Sequence, residues 1–446
     1  MRLVVLVDGE HYPPVVRAAV DGLGGDVVGA VLLGGGEKLA GIDLLESALG
    51  LPVVRGVGAE AALVAGLDRF APDVVVDLSD EPVVDSRLRM RLAARALSRG
   101  VTYRGSDFKF DPPPRPRLAT KPSVAVIGTG KRTGKTAVSV ALSRLLVARG
   151  TPPVVVAMGR GGPPEPEVVD PAQFDLSPAA LVALAASGRH AASDHLEDAL
   201  MAGVVTIGTR RCGGGLAGAP ADATFAAGVA MGNTRPEPLF VFEGSGAAIP
   251  PVHADATICM VPDTADPELV TGYLGAYRLL LTDLIVVTMM EPRSSDFPRS
   301  SDSRSCLEES IRGVAPGANV THVAFRPSPL EPISGRRVFY ATTAPPSTRD
   351  VLVGHLEREH RCRVVGISHN LAHRPQLVAD LEGVGNAEVM LVELKAAAVD
   401  VVASFALDRG LKVTFCDNEV VPASVGTPFN ELAQHVVGLA EERFRS

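Results

Sequence analysis

The stretch Val124-Ala125-Val126-Ile127-Gly128-Thr129-Gly130-Lys131-Arg132-Thr133-Gly134-Lys135-Thr136 reads as a strand, a glycine-rich turn and the start of a helix. Four consecutive apolar residues bounded by glycine fit a strand buried on both faces. Ala137 to Arg149 then continue as a helix. Glycines at 128, 130 and 134 let the turn wrap so that backbone N–H groups point at phosphate oxygens. The helix N-terminus adds partial positive charge. The candidate phosphate loop is therefore Gly128, Thr129, Gly130, Lys131, Arg132, Thr133, Gly134, Lys135 and Thr136. In such a loop the lysine, Lys135, reaches the β- and γ-phosphates of ATP, and the hydroxyl of Thr136 binds Mg²⁺. The spacing departs from plain G-x-x-x-x-G-K-T, because Thr129 stands where the first glycine belongs and Gly128 lies one residue earlier. A chance Gly-Lys-Thr at a helix start is the alternative, and the strand before and helix after weigh against it.

Outward from this unit, short apolar runs alternate with helical patterns. Before it, Leu3–Val7, Val27–Leu33, Pro52–Val54, Val74–Leu78 and Val101–Arg104 read as strands. Glu37–Leu49, Ala59–Phe70 and Val83–Arg99 read as helices between them. After it come strands at Val154–Ala157, Val204–Ile207, Leu239–Phe242, Ala256–Met260 and Leu284–Thr288. Arg293–Ser305 is polar and serine-rich and reads as a mobile loop. Val338–Tyr340, Val364–Ile367, Val389–Leu394 and Val413–Phe415 continue the strand pattern. This is βαβ logic, hence an α/β fold with parallel sheets covered on both faces. The prolines of Asp111–Arg117 mark a linker. The expected division is a Rossmann-like α/β domain over residues 1–115, a P-loop NTPase domain over 118–335 and an α/β segment over 336–446, separate or continuous with the P-loop sheet.

The 446 residues are 46% hydrophobic but only 4% aromatic, with no Trp, so the core must be built from Ala, Val, Leu and Gly. A net charge of −8 argues against generic nucleic-acid binding, which needs a basic face. Cys212, Cys259, Cys306, Cys362 and Cys416 are scattered without a C-x-x-C, which points to a reducing compartment rather than zinc or disulfides. The first apolar run is too short for a signal peptide, and no run approaches the ~18 apolar residues of a membrane span. The reading is a cytoplasmic protein with no membrane partner; a homodimer is compatible with it.

The loop resembles the dethiobiotin-synthetase-like branch of P-loop enzymes, which carries an acidic residue and glycines at the end of a later strand. Val241-Phe242-Glu243-Gly244-Ser245-Gly246 fits that pattern, and the resemblance implies Glu243 beside Mg²⁺; a solvated strand-end carboxylate is the alternative. Other segments widen the likeness: Val7-Asp8-Gly9-Glu10-His11-Tyr12-Pro13, Gly34-Gly35-Gly36-Glu37-Lys38-Leu39, Asp77-Leu78-Ser79-Asp80-Glu81-Pro82, Met158-Gly159-Arg160-Gly161-Gly162-Pro163-Pro164-Glu165, Thr342-Thr343-Ala344-Pro345 and Glu393-Leu394-Lys395-Ala396-Ala397-Ala398-Val399-Asp400. With these, the chain resembles the cyclic 2,3-diphosphoglycerate synthetase family. The resemblance implies ATP-dependent closure of 2,3-diphosphoglycerate to an internal phosphoanhydride. Another ATP-dependent ligase acting through an acyl phosphate, and a regulatory P-loop ATPase switch, are the other readings.

Such a substrate demands cations. Two dianionic phosphates about 5 Å apart repel by roughly 13 kcal/mol at an effective dielectric of about 20. Arg160, and Arg210 with Arg211, follow strand ends, where ligands bind in open α/β sheets. They are the leading candidates, with Lys135, Glu243 and Arg160 as the catalytic set. Arg91, on one helical face with Arg87 and Arg95, is either a substrate contact or part of a solvated surface. Asp8, Glu10 and His11 are either turn and cap residues or substrate ligands. Lys395 either holds a phosphate or pairs with Glu393. The polyanionic acid is expected in a cleft between the N-terminal and P-loop domains.

Overall fold

In the computed structural model the described residues are 1–35, 42–291, 301–423 and 427–446. The first part of the predicted helix Glu37–Leu49, and most of the polar stretch Arg293–Ser305, lie outside them; the helix is described from Ile42 to Leu49. The chain forms an α/β fold on two sheets. The first has six strands in the order Val53–Arg55, Asp26–Leu32, Arg2–Val7, Val74–Asp77, Thr102–Arg104 and Lys109–Phe110. All pair in parallel except the last, which is antiparallel. The strand order reverses on either side of Arg2–Val7, so a crevice opens between the loops after that strand and after Val74–Asp77.

The segment 111–119 has no regular structure and leads into the second, 13-stranded sheet. At its centre Ser123–Gly128 lies between Leu239–Glu243 and Ala256–Pro262, parallel to both. Its side chains alternate between two cores. Val124 and Val126 face the helices Lys135–Ala148 and Phe429–Arg445 through Val138, Leu142, Phe429 and Val436. Ala125 and Ile127 pack with Phe240, Phe242 and Cys259 on the other face. That two-sided burial is why the strand is an unbroken apolar run. The core on the second face also takes in Leu92, Ala93 and Ala96 of helix Ser86–Ser98 with Tyr277 and Leu279 of Ala276–Leu280, and so joins the two sheets' helical layers.

The expectation of parallel sheets holds for most pairs; besides Lys109–Phe110, the short strands Glu167–Val169 and Asp222–Ala223 pair antiparallel with Thr206–Cys212, and a longer antiparallel pairing reshapes the sheet. Asn319–Pro329 pairs in parallel with Leu284–Thr288 through residue 322, runs on past its end, and from Val323 pairs antiparallel with Lys412–Pro422. Val389–Glu393, Arg337–Ala341 and Arg363–Ser368 then follow Lys412–Pro422 in parallel. The C-terminal strands therefore belong to the P-loop sheet but run against it, and their carboxyl ends point back towards the carboxyl edge of the P-loop strands. Asn319–Pro329 escapes a pattern reading because it carries two prolines and polar residues among its apolar ones.

Leu142 is fully buried between the loop's helix and the sheet. Leu142→Ala should destabilise the fold by about 2–5 kcal/mol, read as a lower denaturant midpoint with an unchanged slope.

Candidate active site

The loop between Gly128 and Lys135 is fixed by its neighbours. Thr129 N donates to Met260 O at 3.1 Å, and Thr288 Oγ1 donates to Thr133 O at 3.0 Å. Gly134 has φ +90°, and a Cβ there would stand 2.2 Å from the Phe325 ring, so only glycine fits. Phe325 belongs to the strand that carries the antiparallel seam, which thus touches the loop directly. Lys135 is 7% exposed, and its ammonium donates to Gly130 O at 2.8 Å and Thr133 Oγ1 at 3.3 Å. Burial pushes it down to about 8, against the opposing pull of Glu243. An anionic phosphate in the loop reverses that penalty.

Thr136 Oγ1 donates to Glu243 Oε1 at 2.7 Å, bringing together the two residues expected at the metal. Beside them stands Asp198, fully buried. Both Asp198 oxygens and Glu243 Oε2 lack a hydrogen-bond donor as long as the carboxyls are ionised. Burial first, and then the Glu243 carboxylate, raise Asp198 well above the usual range; burial raises Glu243 too. Two buried carboxyls in contact hold a proton between them, or a cation in its place. Glu197 is buried next to them, and burial lifts it to about 8 although Lys395 Nζ lies 3.3 Å from its Oε1. Burial opposes charge on Lys395, but Glu197 and Glu393 outweigh it and raise that ammonium.

Asp194, Glu197 and Asp198 were not singled out by sequence reading. Their i, i+3, i+4 spacing on helix Asp194–Ala202 puts them on one face, where like charges repel unless cations compensate. That spacing was the available signal.

Lys395 is expected either on a phosphate or on Glu393. Its ion pair is with Glu197, while Glu393 accepts from Thr342 Oγ1 at 2.6 Å, Thr343 Oγ1 at 2.8 Å and Thr343 N at 2.9 Å. Lys395 follows the C-terminal strand Val389–Glu393, so the reversed strands deliver a cation to the loop's carboxylates. Arg160 and Arg211 come together over the turn after Glu243: a Cβ on Gly246 would be 3.0 Å from an Arg160 nitrogen and 3.2 Å from an Arg211 nitrogen. Arg210, one residue along the same strand, projects to the opposite side. A cavity of about 500 Å³ is lined by Gly161, Gly162, Glu165, Glu167, His190 and His195 among others.

The N-terminal candidates are engaged with one another. Asp8 Oδ1 accepts from Glu10 N at 3.0 Å, His11 N at 3.1 Å and His11 Nδ1 at 2.8 Å, and Oδ2 from Asp80 N at 2.8 Å. Burial would raise the Asp8 carboxyl, but these bonds hold it below its ordinary value. Arg91 pairs with Glu60 at 2.5 Å alongside Arg95, and Arg95 also donates to Val314 O at 3.2 Å.

Three family models cover nearly the whole chain: the cyclic 2,3-diphosphoglycerate synthetase N-terminal domain over residues 2–111, its P-loop domain over 123–323 and its C-terminal domain over 329–419. Relatives bearing the name cyclic 2,3-diphosphoglycerate synthetase are similar throughout. The one from Rubrobacter xylanophilus is 45% identical over 97% of this chain and 97% of its own. That from Thermococcus gammatolerans is 46% identical over 94% and 93%, and that from Methanothermobacter thermautotrophicus 42% identical over 98% and 96%.

The raised Glu197 carboxyl makes a signed prediction. Its folded value near 8 exceeds the ordinary 4.5, so its contribution to stability is present below pH 4.5 and is lost as pH rises through about 8. Without ligands, the urea midpoint of Glu197→Gln should therefore fall less than that of the unsubstituted protein across this window. Parallel falls in the two proteins would remove Glu197 from the account.

Proposed function

The chain belongs to the cyclic 2,3-diphosphoglycerate synthetase family, an enzyme family, and from that premise we propose that it closes 2,3-diphosphoglycerate to the cyclic phosphoanhydride at the expense of ATP, with Mg²⁺. One phosphate oxygen of the acid attacks the γ-phosphorus of ATP and ADP leaves. The neighbouring phosphate of the acid then attacks the phosphorus that carries the new phosphoryl group, and inorganic phosphate leaves with the electron pair. The products are the cyclic acid, ADP and phosphate.

The observation that carries this reading is the joining of Thr136, Glu243 and Asp198 at the foot of the Lys135 loop. Two buried carboxyls with oxygens that lack donors, next to a threonine hydroxyl, fit a hard divalent cation that keeps water and phosphate oxygens in its remaining positions. Thr136, Glu243 and Asp198 would hold Mg²⁺ there, and the ion would offset charge on the nucleotide's phosphate oxygens. The backbone of Gly128 to Thr136 holds those phosphates, and Lys135 meets the β- and γ-oxygens. Its ammonium is already turned inward onto Gly130 O, so it needs only to exchange that carbonyl for phosphate.

We divide the chain into a Rossmann-like unit over 1–115, a P-loop NTPase domain over 118–335 and a C-terminal α/β segment over 336–446. We place the reaction in the cytoplasm. Five free cysteines fit a reducing compartment, and among the described residues no helix is long and apolar enough to cross a membrane. The substrate is a small polyanion rather than nucleic acid, since the chain's net charge is −8 and its cations are gathered locally.

Phosphorus NMR of ATP, Mg²⁺, 2,3-diphosphoglycerate and protein should show phosphoanhydride resonances of a new species rising with ADP and free phosphate. Lys135→Ala should lower turnover by about a hundredfold or more while the thermal midpoint stays close to that of the unsubstituted protein; near-normal turnover removes the loop assignment. Asp198→Asn and Glu243→Gln should each raise the Mg²⁺ concentration for half-maximal rate about tenfold or more. An unchanged Mg²⁺ titration in both would take the metal away from this pair.

A further inference from the structure

Arg160 ends one strand and Arg211 lies near the end of its neighbour, Pro153–Gly159 and Thr206–Cys212 being paired in parallel. Both guanidinium groups close on the glycine of the turn Ser245–Gly246. Arg211 Nη2 donates to Ser245 O at 2.7 Å and its Nη1 to Gly213 O, while its Nε is buried with no acceptor. No carboxylate forms a salt bridge with either arginine among the described residues. Burial and the nearby Arg160 both push the Arg211 guanidinium below its ordinary range. Asp194 draws it the other way, and the same carboxylate acts on Lys135 and Lys395. Two convergent cations and an unanswered buried donor are unfavourable unless an anion joins them, and the fork of arginine matches phosphate bidentately. The turn they grip begins two residues after Glu243, whose carboxylate accepts from Thr136.

We propose that Arg160, Arg211 and the turn Ser245–Gly246 form a subsite for a phosphate monoester group, the one by which the acid substrate is held beside the nucleotide. This rests on the synthetase reading for the identity of the acid, but the anion chemistry stands on the arginine geometry alone. Gly246, with φ +60°, leaves the space that a side chain would take from the phosphate. The subsite lies on the P-loop sheet, beyond the ends of Pro153–Gly159 and Leu239–Glu243.

Arg160 is exposed and carries no ion pair among the described residues, so Arg160→Gln should fold normally. Arg211→Gln also loses the grip on Ser245, and its fold is checked separately by thermal unfolding. Titration calorimetry with 2,3-diphosphoglycerate and with inorganic phosphate, and the phosphorus NMR assay, are run on the same three proteins. Each substitution should weaken binding of 2,3-diphosphoglycerate about tenfold or more, the size of one charge-assisted hydrogen bond, while ATP affinity changes less than about twofold. If the unsubstituted protein binds phosphate through these arginines yet makes no cyclic product, the subsite stands and the synthetase reading falls. Product formation with unaltered acid affinity in Arg160→Gln and in folded Arg211→Gln overturns the subsite and leaves the reaction in place. Equal weakening of ATP and acid binding also overturns it, since the arginines would then serve the nucleotide.

Discussion

The antiparallel pairing of Asn319–Pro329 with Lys412–Pro422 is the constraint on which the site depends. In an open parallel sheet all carboxyl ends lie on one edge, and a ligand bound there is covered from one side only. Here one long strand continues the P-loop sheet and then, beyond the end of Leu284–Thr288, accepts a partner running the other way. The strands that follow inherit the reversed direction, so their carboxyl-end loops come down onto the P-loop edge. Lys395 reaches Glu197, and Phe325 of the seam strand closes against Gly134. One hydrogen-bonded seam thus sets the loop's shape and brings the far end of the chain to its carboxylates.

What gathers there is an arrangement of charges that is costly without ligands. Asp198, Glu197 and Glu243 are buried, as is Lys135, and each is pushed by burial towards its neutral form. A well-packed apolar replacement would cost less than groups left partly unpaired. The same groups change sign of usefulness once a divalent cation and phosphates enter. In the proposed reaction a cation would neutralise the carboxylates, and phosphates would hold Lys135 in its charged form. Preorganised charge of this kind needs no rearrangement when a phosphoryl group moves. It also lets an acidic chain suit the polyanionic substrate proposed for it: the sum of charges is negative, while Lys135, Arg160 and Arg211 stand within a few residues of strand ends.

Much of this was legible in the sequence because it is local. The run Val124–Ile127 shows a strand buried on both faces, and Gly128–Thr136 with its flanks shows the loop whichever family it resembles. The pairing of Thr136 with Glu243 was reachable through a strand-end acid followed by glycines. The seam was not reachable, since Pro327 and Pro329 disguise a strand that is regular only through partners about 90 residues downstream. Nor was the contact of Lys395 with Glu197, because its nearer neighbour Glu393 offers an equally good ion pair until the hydroxyls of Thr342 and Thr343 are seen to occupy it. Asp198 was hidden in an ordinary-looking acidic helix turn, and its meaning is burial, which spacing alone does not reveal.

The N-terminal unit shows how position at a strand's carboxyl end fails to decide between ligand and scaffold. Asp8 and Arg160 are equivalent in that respect, each just past a buried apolar strand of a parallel sheet. Asp8 is saturated: four hydrogen bonds from Glu10, His11 and Asp80 consume both oxygens and fasten the loops on either side of the crevice. Among the described residues Arg160 makes no such bonds, and the buried Nε of its neighbour Arg211 is left without an acceptor. A polar group that has met its own backbone gains little from a ligand, because binding would exchange one set of hydrogen bonds for another. A cation held next to a second cation gains from the anion both its own contacts and relief from its neighbour. Unmet hydrogen-bonding capacity, rather than place in the topology, is therefore the difference between Arg211 and Asp8 on which the proposed subsite rests.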